Sequence, residues 1–282
     1  MLFKIKIENI NDIDWNYFWK EGLKEKGNLG ANKNWDKAAE PYEKLNAKDD
    51  YTDKLINNLI LDKSDSLLDI GAGEGSVSIP LSEKVKNITS VDSSKKMIEL
   101  FDKRIREKSI NNIETIEMDI SDINLDSIGH KDIVLASRSI NSFPEMEDLL
   151  INLNEIANKY VFITFFGPNN WRMEKEFYNF IDKNYTDHPS YVLLLNLLEQ
   201  IGIYANVINL DVGPVRTYDD IDEAMVNGKW KLDNYSDKEK GQLHEFLSKT
   251  LQVDSKTKKL FNPLDKPDWV LIWWKKEDQM EI

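Results

Sequence analysis

The 282 residues include no cysteine. Disulfides, thiolate zinc centres and cysteine nucleophiles are excluded together, as is any covalent cysteine adduct on a pyrimidine ring. Histidine is nearly as scarce. His130, His188 and His244 stand far apart with no paired spacing, so no metal centre is expected. No apolar run is long enough to cross a bilayer. Met1 to Ile7 alternates apolar and basic side chains, which predicts a short strand rather than the continuous apolar stretch of a signal peptide. A cytoplasmic location without a membrane partner is the expectation. Positive charge is the third shortage: 37 Lys and Arg stand against 50 Asp and Glu, a net charge of −13. Such a field repels phosphate backbones and argues against a nucleic-acid partner.

What is present suffices for a packed core. Apolar residues make up 41% of the chain, enough for one large domain with an appendage. Residues 1–50 are polar and aromatic-rich and predict an N-terminal helical cap segment. Within it, Trp15, Phe18 and Trp19 share one helical face. A loop rich in Gly and Asn follows from Gly27 to Asn34, then a short helix from Trp35 that Pro41 interrupts. From Tyr51 the pattern becomes regular. Helices are predicted over 51–61, 76–86, 94–108 and 146–158, and strands over 66–70, 88–91, 113–118, 132–136 and 160–166. This alternation predicts an α/β fold built on a doubly wound, mostly parallel sheet. After Phe166 the alternation breaks. Residues about 167–190 predict a partly helical insertion, 191–201 a helix and 205–210 a strand. A second insertion runs over about 213–265, with helices near 219–226 and 236–251, and 269–274 is a closing strand. Residues 51–282 thus read as one domain with two helical cap insertions. Phe177, Phe180 and Ile181 are expected to pack the cap, and Tyr191, Leu195 and Leu198 to face the sheet.

The stretch Leu67-Leu68-Asp69-Ile70-Gly71-Ala72-Gly73-Glu74-Gly75 joins the first regular strand to a helix. Glycines in such a loop let the backbone approach a ligand, and the helix start offers N–H groups. Two cofactor classes compete. A dinucleotide site uses G-x-G-x-x-G against a pyrophosphate, and here Ser76 stands where the last glycine would be. Asp69 precedes the loop and Glu74 lies inside it. Carboxylates are unfavourable beside a pyrophosphate and suit the ammonium and sulfonium of S-adenosylmethionine. Asp92 ends the next strand, where an acid takes a ribose hydroxyl pair; alternatively it caps the following helix with Ser93 or Ser94. Asp119 and Ile120 follow the third strand. They could meet the amine and a ring face of adenine, or form a solvated turn before Ser121 and Asp122.

Together these segments resemble the class I methyltransferase family. Leu68 to Gly75 resembles its first motif, Ser90-Val91-Asp92-Ser93-Ser94 with Met97 its ribose motif, and Met118-Asp119-Ile120 its adenine motif. The resemblance covers about residues 50–165 and is loose beyond them. It implies the Rossmann-like methyltransferase fold, a seven-stranded sheet whose last strand runs antiparallel beside the sixth. It also implies S-adenosyl-L-methionine as cofactor, with contacts from Asp69, Gly71, Ala72, Gly73, Gly75, Asp92, Ser93, Met97, Asp119 and Ile120. The long insertions depart from the family pattern.

The acceptor side is less defined. Ser137-Arg138-Ser139-Ile140-Asn141 follows the fourth strand and by position borders the methyl group, which adds Ser137 to the cofactor contacts. The segment is not the Asp/Asn-Pro-Pro-Tyr/Phe tetrapeptide that similar enzymes use on adenine amines or glutamine amides, so those acceptors are disfavoured. Arg138 offers a fork of donors to a carboxylate or phosphate, or pairs with a nearby acid. Trp35, with Tyr42, precedes the first regular strand. It is expected either to cover the cofactor, with an aromatic face on the sulfonium, or to pack a core. His188 is the best-placed histidine for a general base if the first insertion closes over the site, and otherwise a surface residue. The sequence therefore reads as a methyltransferase for a small-molecule acceptor. A non-catalytic S-adenosylmethionine-binding protein and an RNA methyltransferase are the alternatives.

Overall fold

The structure, a computed structural model, describes residues 12–27, 50–213, 216–227, 230, 232 and 235–276. The expected strand at Met1–Ile7 and the expected roles of Trp35 and Tyr42 lie outside the described residues. In chain order the described strands are β1 (Ser66–Ile70), β2 (Asn87–Asp92), β3 (Ile113–Glu117), β4 (Lys131–Ala136) and β5 (Ala157–Phe166). They continue with β6 (Asn206–Leu210), β7 (Thr217–Tyr218), β8 (Gln252–Val253), β9 (Leu260–Phe261) and β10 (Trp269–Lys275). Seven of them form one sheet in the order β3-β2-β1-β4-β5-β10-β6. Pairings among β1 to β5 are parallel, and β10 runs antiparallel to both β5 and β6. This is the doubly wound, seven-stranded sheet that the resemblance implies, with its antiparallel strand between the fifth and sixth.

The inner strands are covered on both faces, which is why they read as near-continuous apolar runs. Leu68, Ile70, Val134, Ala136, Ile163 and Phe165 pack on one face against helices Trp15–Glu25, Met146–Ile156 and Tyr191–Gln200. Leu67, Ile133, Leu135, Phe162 and Leu271 pack on the other with Tyr51, Leu55 and Leu81. The N-terminal helix is rotated from expectation. Trp15, Trp19 and Leu23 turn toward the core, while Phe18 is 38% exposed. Spacing of four selects the inward stripe here, and full burial of a side chain such as Leu23 contributes about 1.5–3 kcal/mol.

Two helices are shorter than predicted, each for a local reason. The helix from Tyr51 ends at Ile56 instead of running to Leu61. The Asn58 side chain donates to the Lys54 carbonyl at 2.8 Å, taking an acceptor that helix continuation would use. The helix after the glycine loop is only Ser78–Leu81. Pro80 would clash with the carbonyl four residues back, so the helix cannot start at Ser76.

The two insertions share a core of their own, built from Met173, Phe177, Trp230, Leu243, Phe246 and Leu247. Its helices are Arg172–Phe180, Ile221–Asn227 and Asp237–Thr250. A three-stranded sheet, β7-β9-β8, accompanies them and is an addition to the helical cap expected. Strands of two residues carry no readable periodicity. The first insertion follows Phe166; the second connects Leu210 to Trp269. Trp269 pairs with both Phe166 and Leu210, so the insertions rise from one edge, where the parallel strands end. Asp268 joins their roots: its carbonyl accepts the Gly167 N–H at 2.9 Å and its Oδ2 accepts the Asn169 N–H at 2.7 Å.

Candidate active site

The glycine loop leaves β1 at that same edge and folds across β2. The N–H groups of Gly71 and Ala72 both donate to the Val91 carbonyl, at 2.8 and 3.0 Å. Gly73 donates to Asp92 Oδ2 at 2.8 Å, and Gly75 to the Ala72 carbonyl at 3.0 Å. Four amides that a pyrophosphate would need are already held by the protein's own acceptors. Gly75 has φ +83°, and a Cβ there would lie inside the Phe101 ring of helix Lys95–Glu107. Gly73 has φ +56°, and a Cβ built on it would meet nothing within 4 Å. The loop is thus packed on one side and open on the other, a cradle suited to close approach by a ligand.

Asp69 lies beneath the loop, 1% exposed. Its Oδ2 accepts the Ser78 hydroxyl at 2.6 Å, and Ser78 Oγ sits 2.9 Å from Ser90 Oγ. Burial pushes the carboxyl up to about 6, with the nearby Asp92 adding to the rise and the Ser78 bond opposing it. Glu74 corrects an expectation. It is 2% exposed, and its Oε1 pairs with Arg104 at 3.1 Å. A buried carboxylate needs a partner, and Oε1 finds one on the neighbouring helix, while Oε2 is buried without a hydrogen bond to the described residues.

Asp92 braces the loop. Beside its bond to Gly73, Oδ1 accepts the Ser94 N–H at 2.8 Å. The helix cap itself is Ser94, whose hydroxyl accepts the Met97 N–H at 3.2 Å. Ser93 is exposed and Met97 is buried. Asp119 Oδ1 accepts both the N–H and the hydroxyl of Ser121, at 3.0 and 2.7 Å, and so caps the turn Ile120–Asp122. Asp119 is exposed there and Ile120 half-buried.

On the opposite side of β1, the segment after β4 meets the glycine loop, for a Cβ on Gly71 would run into Ser139. Ser137 Oγ lies 2.8 Å from the Tyr51 hydroxyl, whose second partner is Thr164 Oγ1 at 2.6 Å. Burial raises the Tyr51 phenol above its ordinary value, against the opposing influence of Arg138 and of the two hydroxyl bonds. Arg138 has φ +57° and donates its backbone N–H to Thr164 Oγ1 at 2.9 Å. Its guanidinium carbon stands 3.3 Å from the Tyr51 ring centroid and 4.6 Å from that of Trp269. Ser139 Oγ and Asn141 Oδ1 are buried and make no hydrogen bond with the described residues, which suits a segment completed by a polar ligand. His188 stacks on Trp171 with centroids 4.2 Å apart. Among the described residues no cluster of three or more His, Cys, Asp or Glu could hold a metal ion, and no helix is long and apolar enough to cross a membrane.

Tyr51, Thr164 and Trp269 were not singled out from the sequence. Thr164 had a signal: it is the one polar residue in the apolar run from Val161 to Phe166. Tyr51 and Trp269 had none, because an aromatic at an element's end looks like ordinary core.

Residues 67–159 match the family model described as a methyltransferase domain. The match runs from β1 into β5 and contains both loops just described. Beyond it, the chain is 27% identical over 248 residues to an uncharacterised protein of Haemophilus influenzae, an alignment covering 85% of this chain and 88% of that one. The YcgJ protein from Bacillus subtilis superposes with a TM-score of 0.54 at 13% identity, over 79% of this chain and 97% of its own. A candidate methyltransferase from Bacillus halodurans C-125 gives 0.52 at 15% identity, over 80% and 98%. At such identities the likeness is one of fold. The cap core built on Phe177 and Phe246 lies outside the matched methyltransferase domain.

Proposed function

We propose that the chain is an S-adenosylmethionine-dependent methyltransferase acting on a small-molecule acceptor. One observation carries the cofactor reading: the glycine loop has the amides of Gly71, Ala72, Gly73 and Gly75 internally bonded, yet is open beside Gly73, next to Asp92. That surface suits a nucleoside with a cationic tail, and the amides of Gly71, Ala72, Gly73 and Gly75 are not offered to a pyrophosphate. Gly71, Ala72, Gly73 and Gly75 would wall the cofactor, Asp92 and Ser93 hold its ribose, and Met97, Asp119 and Ile120 border its adenine. Asp69 and Ser137 would flank its methionyl end, and Trp35 is the aromatic candidate for covering it. Because Asp119 is engaged with Ser121, its contact with adenine requires sharing or releasing that bond.

When bound, the cofactor supplies a methyl group already activated on a sulfonium. The chain then has to align an acceptor atom opposite the leaving sulfur and keep water out. The cap stands on the edge where both loops emerge and is suited to that exclusion. Arg138 is the candidate for orienting the acceptor, and His188 the candidate for taking a proton where the acceptor must lose one. A small acceptor is supported by the net charge of −13 and by a β4 segment lacking the tetrapeptide used on adenine or glutamine amides.

Calorimetry with S-adenosylhomocysteine and NAD tests the reading. Saturable binding of the first and none of the second is expected; the reverse preference overturns it. Cofactor binding without turnover on any acceptor would favour a non-catalytic binding protein, and steeply salt-dependent RNA binding an RNA methyltransferase.

A further inference from the structure

We infer that Thr164 and Tyr51 are positioning residues: a one-way run of hydroxyl hydrogen bonds, from Thr164 through Tyr51, leaves Ser137 a committed donor to the carboxylate of the cofactor's amino-acid tail. The inference rests on the methyltransferase reading and adds to it which polar end of the tail lies against β4.

The first ground is where the hydrogens go. Three hydroxyls stand in a row, with Thr164 Oγ1 2.6 Å from the Tyr51 hydroxyl and that hydroxyl 2.8 Å from Ser137 Oγ. Each carries one hydrogen, so the row runs in one direction at a time. Thr164 Oγ1 already accepts the Arg138 N–H at 2.9 Å. If Tyr51 donated to it as well, the Thr164 hydrogen would have no acceptor among the described residues, and Thr164 is 0% exposed. A sealed donor without a partner forfeits the hydrogen bond that water would otherwise give it. The opposite direction places the spare hydrogen on Ser137, which is half-buried at the sheet edge and within reach of a ligand. Burial therefore decides the direction: Thr164 donates to Tyr51, and Tyr51 donates to Ser137.

The second ground is position. Ala136 pairs with Ile70 on one side and with Ile163 on the other. Ser137, the next residue, is thus level with Gly71, where the glycine loop begins, and with Thr164. Further along the same segment, Ser139 Oγ and Asn141 Oδ1 are buried without a hydrogen bond to the described residues, and a Cβ on Gly71 would run into Ser139. A segment short of polar partners, laid against the loop, is one that a polar ligand completes.

The third ground is the chemistry of the tail. Its ammonium only donates and cannot satisfy a spare hydrogen, whereas its carboxylate only accepts. The amides of Gly71, Ala72, Gly73 and Gly75 are held by the protein's own acceptors and offer that carboxylate nothing. A negative group is also unfavourable beside Asp69 of β1 and Asp92 of β2, which turns it toward β4.

The full chain is titrated calorimetrically with S-adenosylhomocysteine and with its decarboxylated analogue, which keeps the ammonium and lacks the carboxylate. The unmodified chain should bind the first at least about tenfold more tightly. Ser137→Ala should lower affinity for S-adenosylhomocysteine at least about tenfold and leave that for the analogue within about twofold. Thr164→Val and Tyr51→Phe keep the side-chain shape and break the row, and each should reduce the ratio of the two affinities at least about threefold. Thr164→Ser, which keeps the hydroxyl, should hold the ratio of the unmodified chain. A residue that merely supports the fold would lower both affinities together and leave their ratio alone. Equal binding of the two ligands by the unmodified chain overturns the inference. So does an unmoved ratio in Ser137→Ala, or in whichever of Thr164→Val and Tyr51→Phe folds. Failure of the unmodified chain to bind S-adenosylhomocysteine removes the methyltransferase reading as well, whereas binding with an unmoved ratio removes this inference alone.

Discussion

The Gly73 amide donates to the Asp92 carboxylate at 2.8 Å, tying the glycine loop of β1 to the end of β2. One side chain thereby shapes the loop and, in the proposed binding mode, takes the ribose, so its loss should act twice. Asp92→Ala is expected to weaken S-adenosylhomocysteine binding by about 1–3 kcal/mol, the cost of a lost hydrogen-bonding partner to charge. It should also speed hydrogen exchange at the Gly73 amide. Unchanged affinity with faster exchange would leave Asp92 a purely structural brace.

The loop's packed and open sides should respond differently to a methyl group. Gly75→Ala forces a Cβ into the Phe101 ring at φ +83°, and overpacking with backbone strain should cost about 3 kcal/mol or more of stability. Gly73→Ala meets no neighbour and should cost about 1–2 kcal/mol through its left-handed φ alone. It should nevertheless reduce cofactor affinity at least about tenfold. Denaturant melts and calorimetry on the pair separate the two effects, and equal affinities in Gly73→Ala and the unmodified chain would place the ligand elsewhere.

Asp69 predicts a pH dependence. Its folded carboxyl titrates near 6, against the ordinary 3.8, because burial disfavours the charge. The folded state therefore holds this proton more tightly than the unfolded one. The resulting stabilisation is complete below about pH 4 and is lost as pH rises through about 6. Asp69→Asn removes the titration and still accepts the Ser78 hydroxyl. Between about pH 4 and about pH 7, its stability relative to the unmodified chain should therefore rise by about 2–3 kcal/mol. Urea melts across that range measure it, and a pH-independent difference would show an ordinary carboxyl.

Asp268→Ala removes the acceptor for the Asn169 N–H at the root of the cap. A loss of about 1–3 kcal/mol is expected. The loss should fall on the cap rather than on the sheet, so limited proteolysis should cut near residues 167–170 before any site in β1 to β5. Simultaneous cutting of both would mean that the two cores melt together.

The sheet was legible because its strands obey period and length rules that each segment carries by itself. Lys131–Ala136 and Ala157–Phe166 announce double-sided burial in their own composition. The glycine loop was legible as an open strand-to-helix turn, but the argument from Glu74 did not foresee its burial and pairing. No local pattern tells a carboxylate aimed at a ligand from one paired with Arg104, 30 positions along the chain. The structure supplies a different reason to set aside a pyrophosphate, namely that the amides of Gly71, Ala72, Gly73 and Gly75 are already taken. Arg138 stood out as a lone cation after β4, but its seat did not. The seat is assembled from Tyr51, Thr164 and Trp269, residues separated by more than a hundred positions and joined only by strand order. The small sheet β7-β9-β8 was missed for want of any repeat to read.

The separate core of the cap has a consequence for how such a chain can diversify. Phe177, Trp230 and Phe246 pack on one another, and none of them belongs to either sheet-face core. The cap leaves and rejoins the sheet beside Asp268. The two insertions, apart from the helix Tyr191–Gln200 and β6 between them, therefore act as a cassette: their interior can be rewritten without disturbing a residue that braces the glycine loop. In a lineage built this way the donor half can stay fixed while the choice of acceptor drifts.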